Sequence, residues 1–286
     1  MKDFAGKTAV VTGGASGIGL AMAQAFADRG MNVVLADIEK KALDKTLADF
    51  KTQQGASVIG VEVDVTTEAE MRKLYAQAHE TYGPIHILCN NAGVAAGGMV
   101  AECSLSNWDW VIDVNLRGVI LGLNIFLPEM IAHGEPGHIV NTASIAGMIS
   151  PAGMAAYNAS KFGVVAITEA LAQELAETRL EASVLCPGFV RTQIAESGRV
   201  RQDRYGENES RVSDNAQVVQ DFIAGGINPA IVAQAVLRAI EDKRRYIFTH
   251  PEIMPMVEQR FAEILRDYEA AQVIIPELSG AIDAAE

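Results

Sequence analysis

The chain has 286 residues, 49% of them hydrophobic, and a formal net charge of −13. The apolar fraction excludes a disordered chain and supplies a sizeable core. The acidic balance, with no Lys/Arg-rich run, argues against nucleic acid and against anionic lipid as partners.

Taken in chain order, short apolar runs alternate with amphipathic stretches of helix length. The expected strands are TAVVT (Thr8–Thr12), NVVLA (Asn32–Ala36), SVIGVEV (Ser57–Val63), IHILCN (Ile85–Asn90), HIVNTAS (His138–Ser144), ASVLCP (Ala182–Pro187) and YIFT (Tyr246–Thr249). They are continuously apolar rather than alternating, as strands buried on both faces are. Helical stretches such as LAMAQAFADRG, with Gly30 as its stop, lie between them. The pattern predicts an α/β fold: a doubly wound, seven-stranded parallel sheet of the Rossmann type. It forms one domain over residues 1–272, with a tail at 273–286. A long polar segment, Arg191 to Asn228, interrupts the rhythm. Loops of that length are commonly lids, so a substrate lid with some local helix is expected at about 189–228. Cys89, Cys103 and Cys186 form no CxxC pair and no disulfide framework, and the five histidines show no metal-binding spacing, so no catalytic metal is expected. No signal peptide precedes the first strand, and the longest apolar stretch, GVILGLNIFL, is short for a membrane span. A soluble, cytoplasmic protein is expected.

The first strand runs into Thr12-Gly13-Gly14-Ala15-Ser16-Gly17-Ile18-Gly19, and a helix follows. Glycines 13, 17 and 19 let the backbone approach a pyrophosphate, with Ser16 and Ile18 between them, and the helix N-terminus offers free N–H groups. The spacing is not that of a nucleotide triphosphatase loop. The second strand ends at Asp37, eighteen residues past Gly19, where an acid meets the adenosine ribose. Its carboxylate accepts ribose hydroxyls and repels a 2′-phosphate. No Arg or Lys stands at Ala15, Ser16 or Ile38, so NAD is favoured over NADP.

Downstream lie NNAG at 90–93, VNLRG with Asn115, NTASIAG with Ser144, YNASK at 157–161 and Pro187-Gly188. In this order and spacing, with the glycine loop, the sequence over about residues 5–250 resembles the short-chain dehydrogenase/reductase family. Tyr157 and Lys161 stand at i and i+4, on one helix face. A nearby ammonium, together with the positive nicotinamide of NAD⁺, is expected to lower the phenol's pKa toward neutrality. The resemblance implies Tyr157 as general acid/base, Lys161 as its electrostatic partner and ribose ligand, Ser144 as hydrogen-bond partner of the substrate oxygen, and Asn115 as the holder of a water below Lys161. It also implies cofactor contacts from Asp64 and Val65, from Asn91, Ala92 and Gly93, and from Pro187, Gly188, Val190 and Thr192. Asp64 can equally serve as a helix cap. Ala95, Met99, Ile145, Met148, Met154, Phe189 and Ile194 are the candidate substrate-lining residues. Most are apolar, and they fit a bulky secondary alcohol or ketone, aromatic or polycyclic. The lid and the THPE segment resemble subgroup members with such substrates. Two alternatives are a carrier-protein-linked 3-oxoacyl reductase and a non-catalytic NAD-binding regulatory protein. The acidic chain and Asp37 speak against the first, and the intact catalytic positions against the second. The resemblance also implies a homo-oligomer, a tetramer or a dimer, paired through segments 107–133 and 155–177.

Overall fold

The computed structural model describes residues 1–207 and 216–283. Each apolar run forms a strand: β1 (Thr8–Thr12), β2 (Asn32–Asp37), β3 (Ser57–Glu62), β4 (Ile87–Asn90), β5 (Gly137–Thr142), β6 (Leu180–Cys186) and β7 (Tyr246–Phe248). They make one parallel sheet in the order β3-β2-β1-β4-β5-β6-β7. The chain winds outward from β1 in one direction and, from β4, in the other. This reversal opens a crevice at the C-terminal ends of β1 and β4, where doubly wound sheets bind their ligands.

The helices are α1 (Gly17–Ala27), α2 (Lys40–Lys51), α3 (Glu68–Tyr82), α4 (Leu105–Ile112), α5 (Gly118–Ala132), α6 (Ala155–Glu174), α7 (Ala216–Ala224), α8 (Pro229–Asp242) and α9 (Met254–Asp283). Alternation along the strands sends neighbouring side chains into two layers. Ala9 and Val11 of β1 join Met22 and Phe26 of α1 and Val236 of α8. Val10 joins the layer that holds Leu74, Trp110 and Phe126. Complete burial of side chains such as Phe26 contributes roughly 1.5–3 kcal/mol each. It also explains why the middle of β1 reads as an unbroken apolar run: the strand is buried along its whole length.

Two expectations change. Residue 273 begins no tail, because α9 runs on from Met254 to Asp283. The compact unit that carries the sheet is Met1–Thr249, and a second unit, His250–Glu286, holds a 3-10 turn at Pro251–Ile253 and α9. The last three residues of the expected tail, and residues 208–215 of the lid, lie outside the described residues. The apolar stretch around GVILGLNIFL is also longer than expected. α4, a π-helical turn at Asp113–Arg117 and α5 join into one helical path, Leu105–Ala132, that is long and apolar enough to cross a membrane by length and composition. More than half of its most apolar window is buried inside the protein, as in a core helix. α4 packs on α6, and α5 lies on β4 and α3.

A polar chain crosses the core. Asn90 Nδ2 donates to Asn141 Oδ1 at 2.9 Å, Asn141 Nδ2 to Thr168 Oγ1 at 3.0 Å, and Thr168 Oγ1 to the Val164 carbonyl at 2.7 Å. The remaining oxygen, Asn90 Oδ1, has no N–H or O–H partner. It faces Gly122 of α5, where a Cβ would sit 2.1 Å from it. The Cα–H in that direction therefore points at the oxygen, a weak C–H···O contact.

His138 on β5 is fully buried, with Nε2 2.7 Å from Ser183 Oγ. The Ser183 hydroxyl donates its proton to the Arg244 carbonyl, so Nε2 carries the imidazole proton. Burial pushes the His138 pKa down to about 3. The unfolded chain takes up this proton near pH 6.5, whereas the folded chain does so only near 3. Stability is therefore retained above pH 6.5 and falls as the pH drops through that window, by up to about 1.4 kcal/mol per pH unit. Urea unfolding of wild type and His138→Gln, followed from about pH 7 down to about pH 4, is expected to show a shallower pH dependence in the variant. Parallel curves would refute a neutral, buried His138.

Candidate active site

The glycine loop joins β1 to α1 beneath the crevice. Gly13 and Gly17 have positive φ, +61° and +53°. At Gly19 a Cβ would lie 2.0 Å from the Gly13 carbonyl oxygen, so only a bare backbone lets the loop close. Ser16 occupies the N-cap position of α1, yet its side chain makes no cap bond. The first N–H groups of the helix and the Ser16 hydroxyl are thus available to an anion. This cradle fits the pyrophosphate of a dinucleotide, with Ile18 and Gly19 in the first turn. Across the crevice Thr12 Oγ1 accepts the N–H groups of Asn91 at 2.9 Å and Ala92 at 3.0 Å. Asn91 Nδ2 donates to the Thr12 carbonyl, and Asn91 Oδ1 accepts from Thr142 Oγ1 at 3.2 Å. The NNAG segment therefore ties together the ends of β1, β4 and β5.

Asp37 ends β2 and is 8% exposed. Its Oδ2 accepts the Ala15 N–H at 2.9 Å and its Oδ1 the Glu39 N–H at 3.0 Å. The two N–H groups fix the carboxylate against the loop, with Ile38 between. Burial raises its pKa, and the same two N–H groups oppose that rise. Asp64, after β3, serves as a local cap: Oδ1 accepts from the Thr66 N–H at 3.0 Å and from its hydroxyl at 2.8 Å. Its Oδ2 pairs with Arg204 of the lid at 2.7 Å. Val65 beside it is buried.

Tyr157 and Lys161 share a face of α6, and both are buried, at 7% and 2% exposed. Lys161 Nζ lies 5.5 Å from the Tyr157 ring centroid and donates to the Thr142 carbonyl at 3.0 Å. Ser144, two residues past β5, bonds the Tyr157 phenol. It is aimed by the Ala146 N–H, which donates to Ser144 Oγ at 3.1 Å. Burial pushes Lys161 down to about 8. The Tyr157 phenol is not lowered, as the i,i+4 spacing suggests, but raised: burial outweighs the bond from Ser144. The neighbouring ammonium alone does not overcome desolvation of a phenolate.

Asn115 lies in the π-helical turn before α5. Its Oδ1 accepts the Val94 N–H at 2.8 Å, and its Nδ2 donates to the Val94 carbonyl at 2.9 Å and to Ser160 Oγ at 3.2 Å. The amide is thus spent on clamping the segment that follows Gly93. A Cβ on Gly93 would be 3.4 Å from Asn115 Oδ1 and 3.5 Å from Lys161 Nζ, which puts these groups round one point.

Pro187 accepts the Ile145 N–H at 2.9 Å, and Val190 pairs with Ile227. Thr192, beyond Gly188, rests on the glycine loop: a Cβ on Gly17 would lie 3.0 Å from its Cγ2. Its Oγ1 also accepts the Ile194 N–H, at 3.4 Å, a local cap. Of the candidate substrate residues, Ala95, Met154 and Ile194 pack in the layer that includes Tyr157. Met99 is 53% exposed and adjoins Gly98, which bridges to Met154. Ile145 stands in the 3-10 turn after Ser144. Met148 does not join Ala95, Met154 and Ile194. It packs instead with Val164 and Val184 beneath α6. Phe189 stacks on Phe222 of α7 at 5.0 Å.

The lid carries groups that local spacing does not reveal. Arg199 pairs with Glu39 at 2.7 Å, Ser197 Oγ accepts the Ala95 N–H at 3.1 Å, and the Tyr205 hydroxyl donates to Asp113 at 2.8 Å. Arg201 lies over the Trp110 ring, 4.9 Å from its centroid. Three arginines within six residues of an otherwise acidic chain are the one hint in the sequence.

A parallel sheet with its glycine cradle at the switch point, and a Ser, Tyr and Lys gathered beside it, is the arrangement of a dehydrogenase-type oxidoreductase. The family model for short chain dehydrogenase matches residues 7–203. The CLA biosynthesis dehydrogenase/reductase of Lactiplantibacillus plantarum is 38% identical over 276 residues, 93% of this chain and 96% of that protein. The 1-deoxy-11-beta-hydroxypentalenate dehydrogenase of Streptomyces exfoliatus is 32% identical over 91% of this chain and 89% of its own. Among solved structures, a short-chain dehydrogenase/reductase from Burkholderia phymatum in complex with NAD superposes with a TM-score of 0.90. It is 42% identical and covers 93% of this chain and 97% of that one. The chain belongs to the short-chain dehydrogenase family.

Gly19→Ala is expected to open the loop, because the new methyl group collides with backbone rather than with a movable side chain. Calorimetry should show NAD⁺ affinity reduced by about a hundredfold or more, equivalent to about 2.7 kcal/mol. Unchanged affinity would mean that the loop does not hold the cofactor.

Proposed function

We propose that the protein is an NAD-dependent dehydrogenase of secondary alcohols, or the corresponding ketone reductase, with a bulky, apolar substrate. The observation that carries this reading is the Ser144–Tyr157–Lys161 cluster beside a cleft that ends in Asp37. When bound, the nicotinamide supplies the chemistry of hydride transfer. Gly13, Ser16, Gly17, Ile18 and Gly19 would hold its pyrophosphate, and Asp37 its adenosine ribose. Asn91, Gly93, Gly188, Val190 and Thr192 would flank the nicotinamide half.

Tyr157 moves the proton. Its phenolic oxygen takes the hydroxyl proton of an alcohol during oxidation and returns it to the carbonyl oxygen during reduction. Ser144 donates to the same substrate oxygen and holds the phenol in place. Lys161 favours the phenolate electrostatically and binds ribose hydroxyls. Tyr157 starts above its ordinary pKa, so phenolate formation in the oxidative direction depends on the positive charge that arrives with the oxidised cofactor. The apolar side chains of Ala95, Met154 and Ile194, with Phe189 and Phe222 on the lid side, suit a bulky skeleton. So does the likeness to a dehydrogenase named for 1-deoxy-11-beta-hydroxypentalenate.

The test pairs an absorbance assay of apolar secondary alcohols with NAD⁺ and calorimetry of NAD⁺ binding. Tyr157→Phe should lose turnover by about a thousandfold, in the range for a positioned acid/base, while NAD⁺ binding survives. Substantial residual turnover would remove Tyr157 from the role. We also propose a homo-oligomer, a tetramer or dimer, built on the outer faces of α5 and α6. Ile120 and Ile131 are 44% and 45% exposed there. Light scattering at micromolar concentration is expected to give a multiple of the chain mass, and a monomer would overturn this assembly.

A further inference from the structure

The end of β2 is built as an anion site. The Ala15 and Glu39 N–H groups converge on it, and the chain fills it with its own Asp37 carboxylate. A guanidinium stands close by. Arg199 of the lid donates from Nη2 to Glu39 Oε1 at 2.7 Å and from Nε to Glu39 Oε2 at 3.2 Å, a two-point fork. Its remaining terminal nitrogen donates to the carbonyls of Gln193 at 2.9 Å and Glu196 at 3.1 Å. Arg199 is therefore positioned by lid backbone as well as by Glu39, and it would keep its place if Glu39 let go. Its charge is also felt at Asp37, whose carboxyl it draws downward.

We infer that Glu39 is a second determinant of cofactor choice. Its carboxylate neutralises Arg199, the cation that would otherwise receive a 2′-phosphate at the end of β2. The inference rests on the reading of Asp37 as the ribose ligand of NAD. Two carboxylates and one guanidinium leave one net negative charge at this corner, so a phosphate is repelled. Removing Asp37 alone leaves a neutral Glu39–Arg199 pair and two N–H groups, which is a poor phosphate site. Neutralising Glu39 as well leaves two N–H donors and a guanidinium already in position, with one net positive charge. That combination is what binds phosphate. Arg199 and Glu39 are each about 30% exposed, so the charges are partly screened and the effect should weaken with salt.

The experiment measures binding, not turnover. Adenosine 2′,5′-bisphosphate and 5′-AMP are titrated calorimetrically into Asp37→Ala, Asp37→Ala/Glu39→Gln, and the same double variant with Arg199→Ala. Thermal unfolding confirms that each is folded. Glu39→Gln is expected to tighten the bisphosphate by about tenfold and to leave 5′-AMP within about twofold. Arg199→Ala should abolish the gain. Glu39→Gln in the otherwise wild-type chain, where Arg199 is released next to Asp37, should narrow the NAD⁺ over NADP⁺ preference by about threefold. This second measurement decides the matter if a multiple variant does not fold. No gain on neutralising Glu39, or a gain that persists without Arg199, overturns the inference. A wild-type protein that binds NADP⁺ more tightly than NAD⁺ instead overturns the NAD reading of Asp37. That result is separate from the fragment titrations.

Discussion

One hydroxyl holds the crevice together. Thr12 Oγ1, at the end of β1, accepts two consecutive N–H groups from the end of β4, those of Asn91 and Ala92. It donates its own proton toward the Cys89 carbonyl at 3.3 Å. Both sides of the switch point are thereby locked in one register. The glycine loop starts on one side of this bond, and Gly93, Asn115 and Lys161 meet on the other. An apolar residue of the same shape would leave two N–H donors with no side-chain acceptor, at about 1–3 kcal/mol each where they are buried. The Ser144–Tyr157–Lys161 cluster and the glycine loop share a frame because that hydroxyl is saturated.

The lid is bound mainly to the β1–β4 side of that frame. Thr192 sits on the glycine loop, Ser197 on the residue after Val94, Arg199 on Glu39 and Arg204 on Asp64. These contacts follow the C-terminal ends of β1, β4, β2 and β3. The segment is a strap along the β1–β4 side of the crevice, and its polar, arginine-bearing composition follows from what it touches. The carboxylates it reaches are the ones that a parallel sheet presents at its ligand-binding edge. The ion pairs are partly exposed, so each holds the strap only weakly.

Much of this was legible in the sequence, and the reasons differ from element to element. The strands were visible because burial on both faces favours apolar runs, as in AVV of β1 and VVLA of β2. The glycine loop and the Tyr157–Lys161 pair were visible because their geometry is local, set by a turn and by one step of helix. Arg199 and Arg204 were not, because their partners lie 160 and 140 residues away and no periodicity links them. The raised Tyr157 pKa was not, because spacing shows a neighbouring charge but not the desolvation that opposes it. The end of the chain reads as a tail for a compositional reason: QVIIPELSGAIDAAE mixes apolar, proline, glycine and acidic residues as a frayed terminus does. Yet the helix from Met254 runs through Pro276.

The contact between Gly122 and Asn90 has a mechanical consequence. Helix α5 rests there with no side chain of its own between, on the Asn90 amide oxygen, whose own nitrogen is fastened across β4 and β5 to α6. Such a bearing leaves no compressible layer to take up displacement. Seven residues before it, on the same helical path, Asn115 grips the backbone of Val94. A few residues after Asn115, Ile120 faces outward. The outer face of α5 and the backbone beside Lys161 are thus carried on one helical path, seated on the sheet at a single hard point.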